Sequence, residues 1–395
     1  MLDSRPIQMP RLTIRGVEAL VFRAPIKTPV QTSFGIMHDR PACLLRITDD
    51  DGVTGWGEVW CNFPQVGAEH RARLAVECIA PLLLGKTWDS PAQAFEALTK
   101  SMHILSVQSG EPGPIAQVIA GLDIALWDLA AQKAGLPLWR MLGGTSAEVA
   151  VYASGLNPTA PELLAAQRAA EGYTAFKLKV GFGQERDLAN LRAMRQTLGS
   201  EAPIMVDANQ AWRLEESIRM AQRMAEFDLL WLEEPLATDE PIAQWSRLAA
   251  ASSIPLAAGE NVRGDASFDQ LLDSRALRVV QPDIAKWGGF SACLPLARRI
   301  LDNGAWFCPH WLGGGVGLAA SLHLKAAVGG DGMVEIDANH NPLRTDFLHP
   351  LGQVTAGRTR LPDAPGLGIT PDIAAVHGYL VLQRSIGEVT PFVPN

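Results

Sequence analysis

Four short apolar runs between residues 174 and 260 each close on charged residues: Thr174-Ala175-Phe176-Lys177-Leu178-Lys179, Pro203-Ile204-Met205-Val206-Asp207, Leu229-Leu230-Trp231-Leu232-Glu233 and Pro255-Leu256-Ala257-Ala258-Gly259-Glu260. Lys179, Asp207, Glu233 and Glu260 follow one another at intervals of 26 to 28 residues. That interval suits a strand, a crossover helix and two loops. Polar groups set repeatedly at strand ends, one βα unit apart, place a site at one mouth of a parallel barrel.

The same texture continues outward. Val149-Ala150-Val151-Tyr152 precedes these runs, and later strands are expected to end near Asp283, His310 and Glu335. Helical segments intervene near 161–171, Asp187–Leu198, Glu215–Glu226, Pro241–Ala251 and Phe290–Asn303. This gives eight strand candidates, enough to close a barrel. Upstream, residues 11–60 read as antiparallel strands. Leu12-Thr13-Ile14 and Val17–Phe22 come first; Cys43–Ile47 then passes through the turn Asp51-Gly52 into Val53–Glu58. Thr28 to Arg40 reads as a loop carrying Phe34, His38 and Asp39. Helices are expected at 68–84, 91–104 and 115–134. The last has one wide apolar face for the next domain, with Asp123 and Asp128 read as solvent-facing.

The fold class is therefore α/β, a barrel with a smaller domain. The expected division is residues 1–140 as an α+β cap, 141–340 as the barrel, and 341–395 as a segment returning to the cap. The chain has 395 residues, 47% apolar and 19% charged, ordinary for a soluble globular protein. A formal charge of −8 with no basic stretch argues against a nucleic-acid partner. Met1–Leu12 holds Arg5, Pro6 and Pro10 and no apolar core, and no run approaches the roughly 18 apolar residues a membrane span needs. A cytoplasmic protein without a membrane partner is the expectation. The five cysteines form no close pair, which fits buried thiols better than disulfides or a zinc cluster.

Residues two apart on a strand share a face, so Lys177 and Lys179 point into the barrel while Phe176, Leu178 and Val180 meet the helices. Two neighbouring ammonium groups repel, which is expected to lower the proton affinity of one and suit it to act as a base. Separate helix-capping acids would explain any one of Asp207, Glu233 and Glu260, but not three in register. Together they repel unless a cation sits among them, and oxygen-only ligation favours a hard ion such as Mg²⁺. Glu234 points elsewhere and reads as support. Asp283 and His310 end adjacent strands, so the carboxylate can fix the imidazole tautomer and leave the other nitrogen free for proton transfer. Glu335, if protonated, is placed to donate a hydrogen bond to a substrate oxygen.

These residues together resemble the enolase superfamily, in its mandelate racemase subgroup, and the resemblance runs nearly end to end. It is carried by Gly55-Trp56-Gly57-Glu58, Gly121–Asp128, Leu142-Gly143-Gly144, Lys177/Lys179, Asp207/Asn209, Glu233-Glu234-Pro235, Gly259-Glu260-Asn261, Asp283, His310 and Glu335. The resemblance implies an α+β capping domain over a modified TIM barrel, (β/α)7β, whose last strand lacks a regular helix. It implies Asp207, Glu233 and Glu260 as ligands of one Mg²⁺. Lys179 becomes the base on one substrate face and His310, oriented by Asp283, the base or acid on the other. Lys177 would neutralise the substrate carboxylate, Glu335 would hydrogen-bond it, and Asn209 would support the site. The expected partners are a small-molecule carboxylate and further copies of the chain, in an assembly between dimer and octamer.

Removal of the proton beside a carboxylate gives an enediolate with two fates. Loss of a β-hydroxyl yields a 2-keto acid, the outcome expected of an acid sugar dehydratase. Reprotonation on the opposite face yields a racemase or epimerase of a 2-hydroxy or related acid. A silent sugar-acid-binding barrel is the non-enzymatic alternative. Phe34, Trp60, Trp287 and Trp311 are candidates for an aromatic pocket wall, and His38, Arg40, Asn62 and Lys286 for hydroxyl binding. The capping loops near 28–40 and 59–65 are expected to set specificity.

Overall fold

The N-terminal sheet begins with two strands far longer than the sequence indicated. In the computed structural model, which describes residues 9–349 and 353–389, β1 (Leu12–Thr32) and β2 (Gly35–Asp49) form one antiparallel hairpin. Thr28–Arg40, expected as a loop, supplies the outer arms of that hairpin, paired from Val30↔Met37 to Thr32↔Gly35. Its ladder shifts between Pro25 and Val30, and such an irregularity interrupts the alternation by which a strand is recognised. β3 (Thr54–Val59) adds beside β2, and Leu380–Gly387 returns from the far end of the chain to pair with β1. The stretch searched for a secretory signal, through residue 8, and Pro350 lie outside the described residues.

Three helices cover this sheet: α1 (Gly67–Arg73), continued by a π turn to Ile79, α2 (Pro91–Gln108) and α3 (Pro112–Ala134). Gly135, at φ 65°, ends α3 in the left-handed conformation that glycine favours. The helix lies so close to β3 that a Cβ on Gly57 would stand 2.0 Å from the Gly121 carbonyl oxygen. Asp123 and Asp128 are not solvent-facing. Each is 1% exposed, because α3 is covered by the sheet on one side and by barrel elements on the other. Asp123 accepts from the Ser291 amide at 2.9 Å, and Asp128 from the amides of Trp56 at 2.8 Å and Leu367 at 2.7 Å. Burial raises these carboxyls to about 7 and about 6. In length and composition α3 would also suit a membrane, but 89% of its apolar window is buried, as in a core helix.

The barrel then repeats one unit seven times. β4 (Glu148–Leu156) leads to α4 (Pro161–Ala170), β5 (Phe176–Lys179) to α5 (Gln184–Leu198), and β6 (Ile204–Asp207) to α6 (Leu214–Met224). β7 (Leu232–Glu233) leads to α7 (Ile242–Ala251), β8 (Leu256–Ala258) to α8 (Asp265–Ser274), β9 (Val279–Val280) to α9 (Gly289–Asp302), and β10 (Trp306–Phe307) to α10 (Gly315–Val328). β11 (Val334–Asp337) is followed only by the four-residue helix Pro342–Thr345. All eight expected strands form, in the parallel order β11-β4-β5-β6-β7-β8-β9-β10. Among the described residues no ladder pair joins β10 to β11. Side chains bridge that seam: the Met333 amide donates to Cys308 Sγ at 3.4 Å, and Lys325 Nζ to the Phe307 carbonyl at 3.2 Å.

Inside the barrel, Tyr152, Ala175, Met205, Trp231, Ala257, Val279 and Cys308 form an apolar floor. Adding two to most of these positions gives the layer above: Lys177, Asp207, Glu233, Gln281 and His310. Period-two alternation thus sets a charged tier on an apolar one. Glu260 is the exception to the count. Gly259, at φ 143°, turns the chain where a Cβ would meet the Gln281 backbone at 2.7 Å. This turn carries Glu260 into the mouth from the next position.

Candidate functional site

The charged tier is almost fully buried and paired. Lys177 Nζ lies 2.5 Å from Glu233 Oε1 and 2.9 Å from Glu335 Oε1, and 5.4 Å from the centroid of the Tyr152 ring beneath it. Lys179 Nζ lies 2.5 Å from Asp207 Oδ2. Asn209 donates to Asp207 from its amide at 2.8 Å and its side chain at 3.0 Å, reached through a backbone φ of 44°. Glu233 Oε2 accepts from Trp231 at 3.2 Å and Gln281 at 2.6 Å.

Across the mouth, His310 Nδ1 sits 2.7 Å from Asp283 Oδ2 and its Nε2 2.5 Å from Glu260 Oε2. Asp283 is itself oriented, since its Oδ1 accepts from the amides of Ala285 at 2.8 Å and Lys286 at 3.0 Å. The other oxygen of Glu260 faces Lys286 Nζ at 3.2 Å and Asn261 Nδ2 at 3.0 Å. Lys286 also lies 4.5 Å from the centroid of the Trp60 ring.

The electrostatics correct two expectations. Neither lysine has its proton affinity lowered. Burial acts in that direction, but Glu233 and Glu335 hold Lys177 well above the usual lysine range, and Asp207 raises Lys179. Glu335, a donor only if protonated, does not meet that condition: burial pushes it up, but Lys177, His310 and Lys179 outweigh that and bring it down to about 2. Its oxygens act as acceptors, from Ser154 Oγ, from Lys177, and from the Trp311 amide at 3.1 Å. Burial, with the charges of Asp207, Glu335 and Glu260, raises Glu233 to about 7. His310 is raised to about 10: burial lowers it, but Glu260, Glu335 and Asp283 outweigh burial.

A cavity of about 260 Å³ opens over this tier, lined by Lys179, Asn209, Glu260, Lys286 and His310. The capping side contributes Thr32, Phe34, Trp60, Asn62 and Phe63. A larger groove of about 690 Å³ lies beside Thr238–Ile242 and shares Gln210 and Asn261 with the cavity, but holds none of the strand-end acids or lysines.

The structure brings Lys177, Lys179, Asp207, Asn209, Glu233, Glu260, Asp283, His310 and Glu335 together, with Trp60 on the cavity wall. It does not bring four others there. His38 is exposed on β2, opposite in alternation to the inward Met37. Arg40 is buried beneath the cavity rim in a 2.5 Å ion pair with Asp337. Trp311 packs its ring on Gly313 and Gly317 and donates its indole N–H to the Gly314 carbonyl at 2.8 Å. Trp287 stacks near Phe268, with centroids 5.5 Å apart, away from the cavity. Gln281 was missed, although it sits two residues before Asp283 on the same strand face.

The donor set suits a hard divalent cation. Asp207, Glu233 and Glu260 offer only oxygen, and two buried amide oxygens nearby, Asn209 Oδ1 and Gln281 Oε1, accept no hydrogen bond. Each of the three acids carries a lysine or imidazole at 2.5 Å. Among the described residues, the group of three acids whose oxygens lie within 4.8 Å of one another is Asp49-Asp50-Asp51, of which Asp49 is buried and Asp49 and Asp51 pair with Lys133.

The family model for the mandelate racemase/muconate lactonizing enzyme N-terminal domain matches residues 16–143, and that for the enolase C-terminal domain-like fold matches residues 161–376. A D-galactarolactone cycloisomerase from Agrobacterium fabrum is 31% identical over 91% of this chain and 96% of its own. A crystal structure of a mandelate racemase/muconate lactonizing enzyme from Bordetella bronchiseptica RB50 shares 52% identity with a TM-score of 0.89, covering 94% of this chain and all of that one (100%). L-talarate/galactarate dehydratase from Salmonella typhimurium LT2, solved with Mg and L-lyxarohydroxamate, shares 28% identity at a TM-score of 0.84 over 98% of this chain and 97% of its own. The wider set of relatives includes dehydratases, cycloisomerases, racemases and o-succinylbenzoate synthases.

Proposed function

Because this chain belongs to the mandelate racemase/muconate lactonizing enzyme family of the enolase superfamily, and so is a lyase or isomerase, we propose that it abstracts the proton alpha to a small-molecule carboxylate and then eliminates water from a sugar acid. One observation carries this reading. Lys179 and His310 line the same 260 Å³ cavity from β5 and the end of β10, with the three carboxylates between them. Thr32 and Asn62 from the capping side and Asn261 from the barrel side line the same cavity with polar groups suited to a polyol chain.

Asp207, Glu233 and Glu260 would hold one Mg²⁺, the ion present in the Salmonella relative's structure. The ion supplies Lewis-acid stabilisation of the substrate carboxylate as negative charge develops there. Lys177, fixed by Glu233 and Glu335, presents a second positive charge to that carboxylate from the charged tier. Lys179 takes the alpha proton; its present partner is Asp207, and a divalent ion held there would supply positive charge that weakens the lysine's hold on its own proton. His310, held at Nδ1 by Asp283, delivers a proton from Nε2 to the departing hydroxyl.

The two proton-transfer groups also suit a second reading, in which His310 returns the proton to the opposite face and the product is the racemate or epimer. Incubation with Mg²⁺ in D₂O and a panel of sugar acids and 2-hydroxy acids separates the two. A 2-keto acid lacking one hydroxyl supports elimination; α-deuterium with inverted configuration supports racemisation. His310→Asn should abolish net turnover while leaving Lys179-side exchange, and full activity in that variant would remove His310 from the mechanism.

A further inference from the structure

Between His310 and α10 runs the link Trp311-Leu312-Gly313-Gly314. It is tied down along its whole length. Its first amide donates to Glu335 Oε2 at 3.1 Å, and the Gly313 carbonyl accepts from Asn341 Nδ2 at 2.9 Å. Its far end is held from another part of the fold altogether. Glu58, on β3 of the capping sheet and 1% exposed, accepts from the Gly314 amide at 2.7 Å through Oε1 and from the Gly317 amide at 2.8 Å through Oε2.

This carboxylate substitutes for a cap that the helix cannot supply itself. The N-cap residue of α10 is Gly314, which has no side chain to accept the first-turn amides. Ionised, Glu58 also sits at the positive end of the helix dipole. The fit is tight on both sides. A Cβ on Gly314 would lie 2.5 Å from Glu58 Oε1, while β3 is pinned behind by the 2.0 Å approach that Gly57 permits to α3. Glu58 therefore has little freedom to follow a displaced link. Its hydrogen bonds run to the Gly314 and Gly317 amides, so its influence on chemistry passes through the backbone it holds.

We propose that Glu58 is a positioning residue for His310: by fixing the Gly314 end of the link, it holds the imidazole where it can exchange a proton with the substrate. The inference rests on the reading above, in which Lys179 and His310 act in separate steps. Lys179 stands on β5, which pairs with β4 and β6 and not with the link, so the two steps should respond differently to loss of Glu58.

Glu58→Gln keeps one acceptor oxygen and turns an N–H₂ toward an amide donor. The expected result is a loss of net turnover on the order of 10- to 100-fold, the scale set by misplacement of a catalytic group by about an ångström. Lys179-side α-deuterium exchange in D₂O should stay within about threefold of the parent enzyme. Gly314→Ala, whose backbone φ of −78° accepts alanine without strain, pushes the carboxylate away from the helix side and should reproduce the same split. It serves as the second variant if Glu58→Gln does not fold. Parallel loss of exchange and turnover, or no loss of either, in a folded variant overturns the proposal. Absence of α-exchange in the unaltered enzyme with every carboxylate overturns the underlying assignment instead, so the two failures are distinguishable.

Discussion

Asp283→Asn offers the sharpest test of the His310 dyad. Asp283 Oδ1 already accepts two backbone amides, from Ala285 at 2.8 Å and Lys286 at 3.0 Å. An asparagine must keep its carbonyl oxygen in that place, which turns Nδ2 and its hydrogens toward His310 Nδ1, 2.7 Å from the present Oδ2. The imidazole then has to offer a lone pair at Nδ1 and carry its proton at Nε2. Its imidazolium form, needed whenever it has accepted a proton, would set N–H against N–H. General acid–base transfer contributes about 10²- to 10⁴-fold, so the variant should lose roughly 3 to 5 kcal/mol of transition-state stabilisation. The assay follows, on one sample by NMR in D₂O with Mg²⁺, both α-exchange and product formation. Product formation should fall by that factor while exchange persists. Product formation within about fivefold of the unaltered enzyme, at unchanged fold and Mg²⁺ affinity, would refute the tautomer argument.

Two other outcomes follow from groups described above. His323 is fully buried, with Nδ1 accepting the Trp139 amide at 3.0 Å and Nε2 facing the Leu367 carbonyl at 3.0 Å, and burial lowers its pKa to about 4. Because the unfolded chain takes up this proton first, stability should fall as pH drops from about 6.5 to about 4, by up to roughly 3 kcal/mol, and His323→Gln should flatten that part of the denaturant-derived stability profile. Mg²⁺ at a hundredfold excess over its Kd should stabilise chelator-treated protein by about 2.7 kcal/mol in thermal unfolding. Asp207→Asn should weaken that shift, and no shift in the unaltered protein would count against the three-carboxylate ligand set.

The barrel was legible because its information is local and periodic. Each of the eight strands is a short apolar run, and the residue two beyond the floor position carries the charge, so Lys177, Asp207, Glu233 and His310 follow from alternation alone. Glu260 obeys a different rule, the turn at Gly259, yet its spacing still revealed it. The hairpin was not legible, because Thr28–Arg40 is held by pairing across a bulge and its composition resembles a turn. That error carried His38 and Arg40 into the site; on the strand that forms instead, His38 is exposed and Arg40 is buried in a pair with Asp337. Asp123 and Asp128 failed for a related reason. A helix pattern shows where the apolar face lies, but not that a second layer covers the polar one. The lysines' proton affinities depend on counting every neighbouring carboxylate, a sum over distances that strand spacing does not contain.

The unladdered seam between β10 and β11 leaves the ring of strands open at one point. From β11 round through β4 to β10, neighbouring backbones are hydrogen-bonded, so the residues that would hold the ion share one frame. His310 and Glu335 stand on either side of the seam, joined by side chains and by one amide of the Trp311 link rather than by paired strands. Substitutions among those stitches act at the one place where no backbone ladder fixes the spacing of His310 and Glu335. A ring open at that point offers a place for change that leaves the paired strands intact, in a family whose members include proteins named as dehydratases, cycloisomerases and racemases.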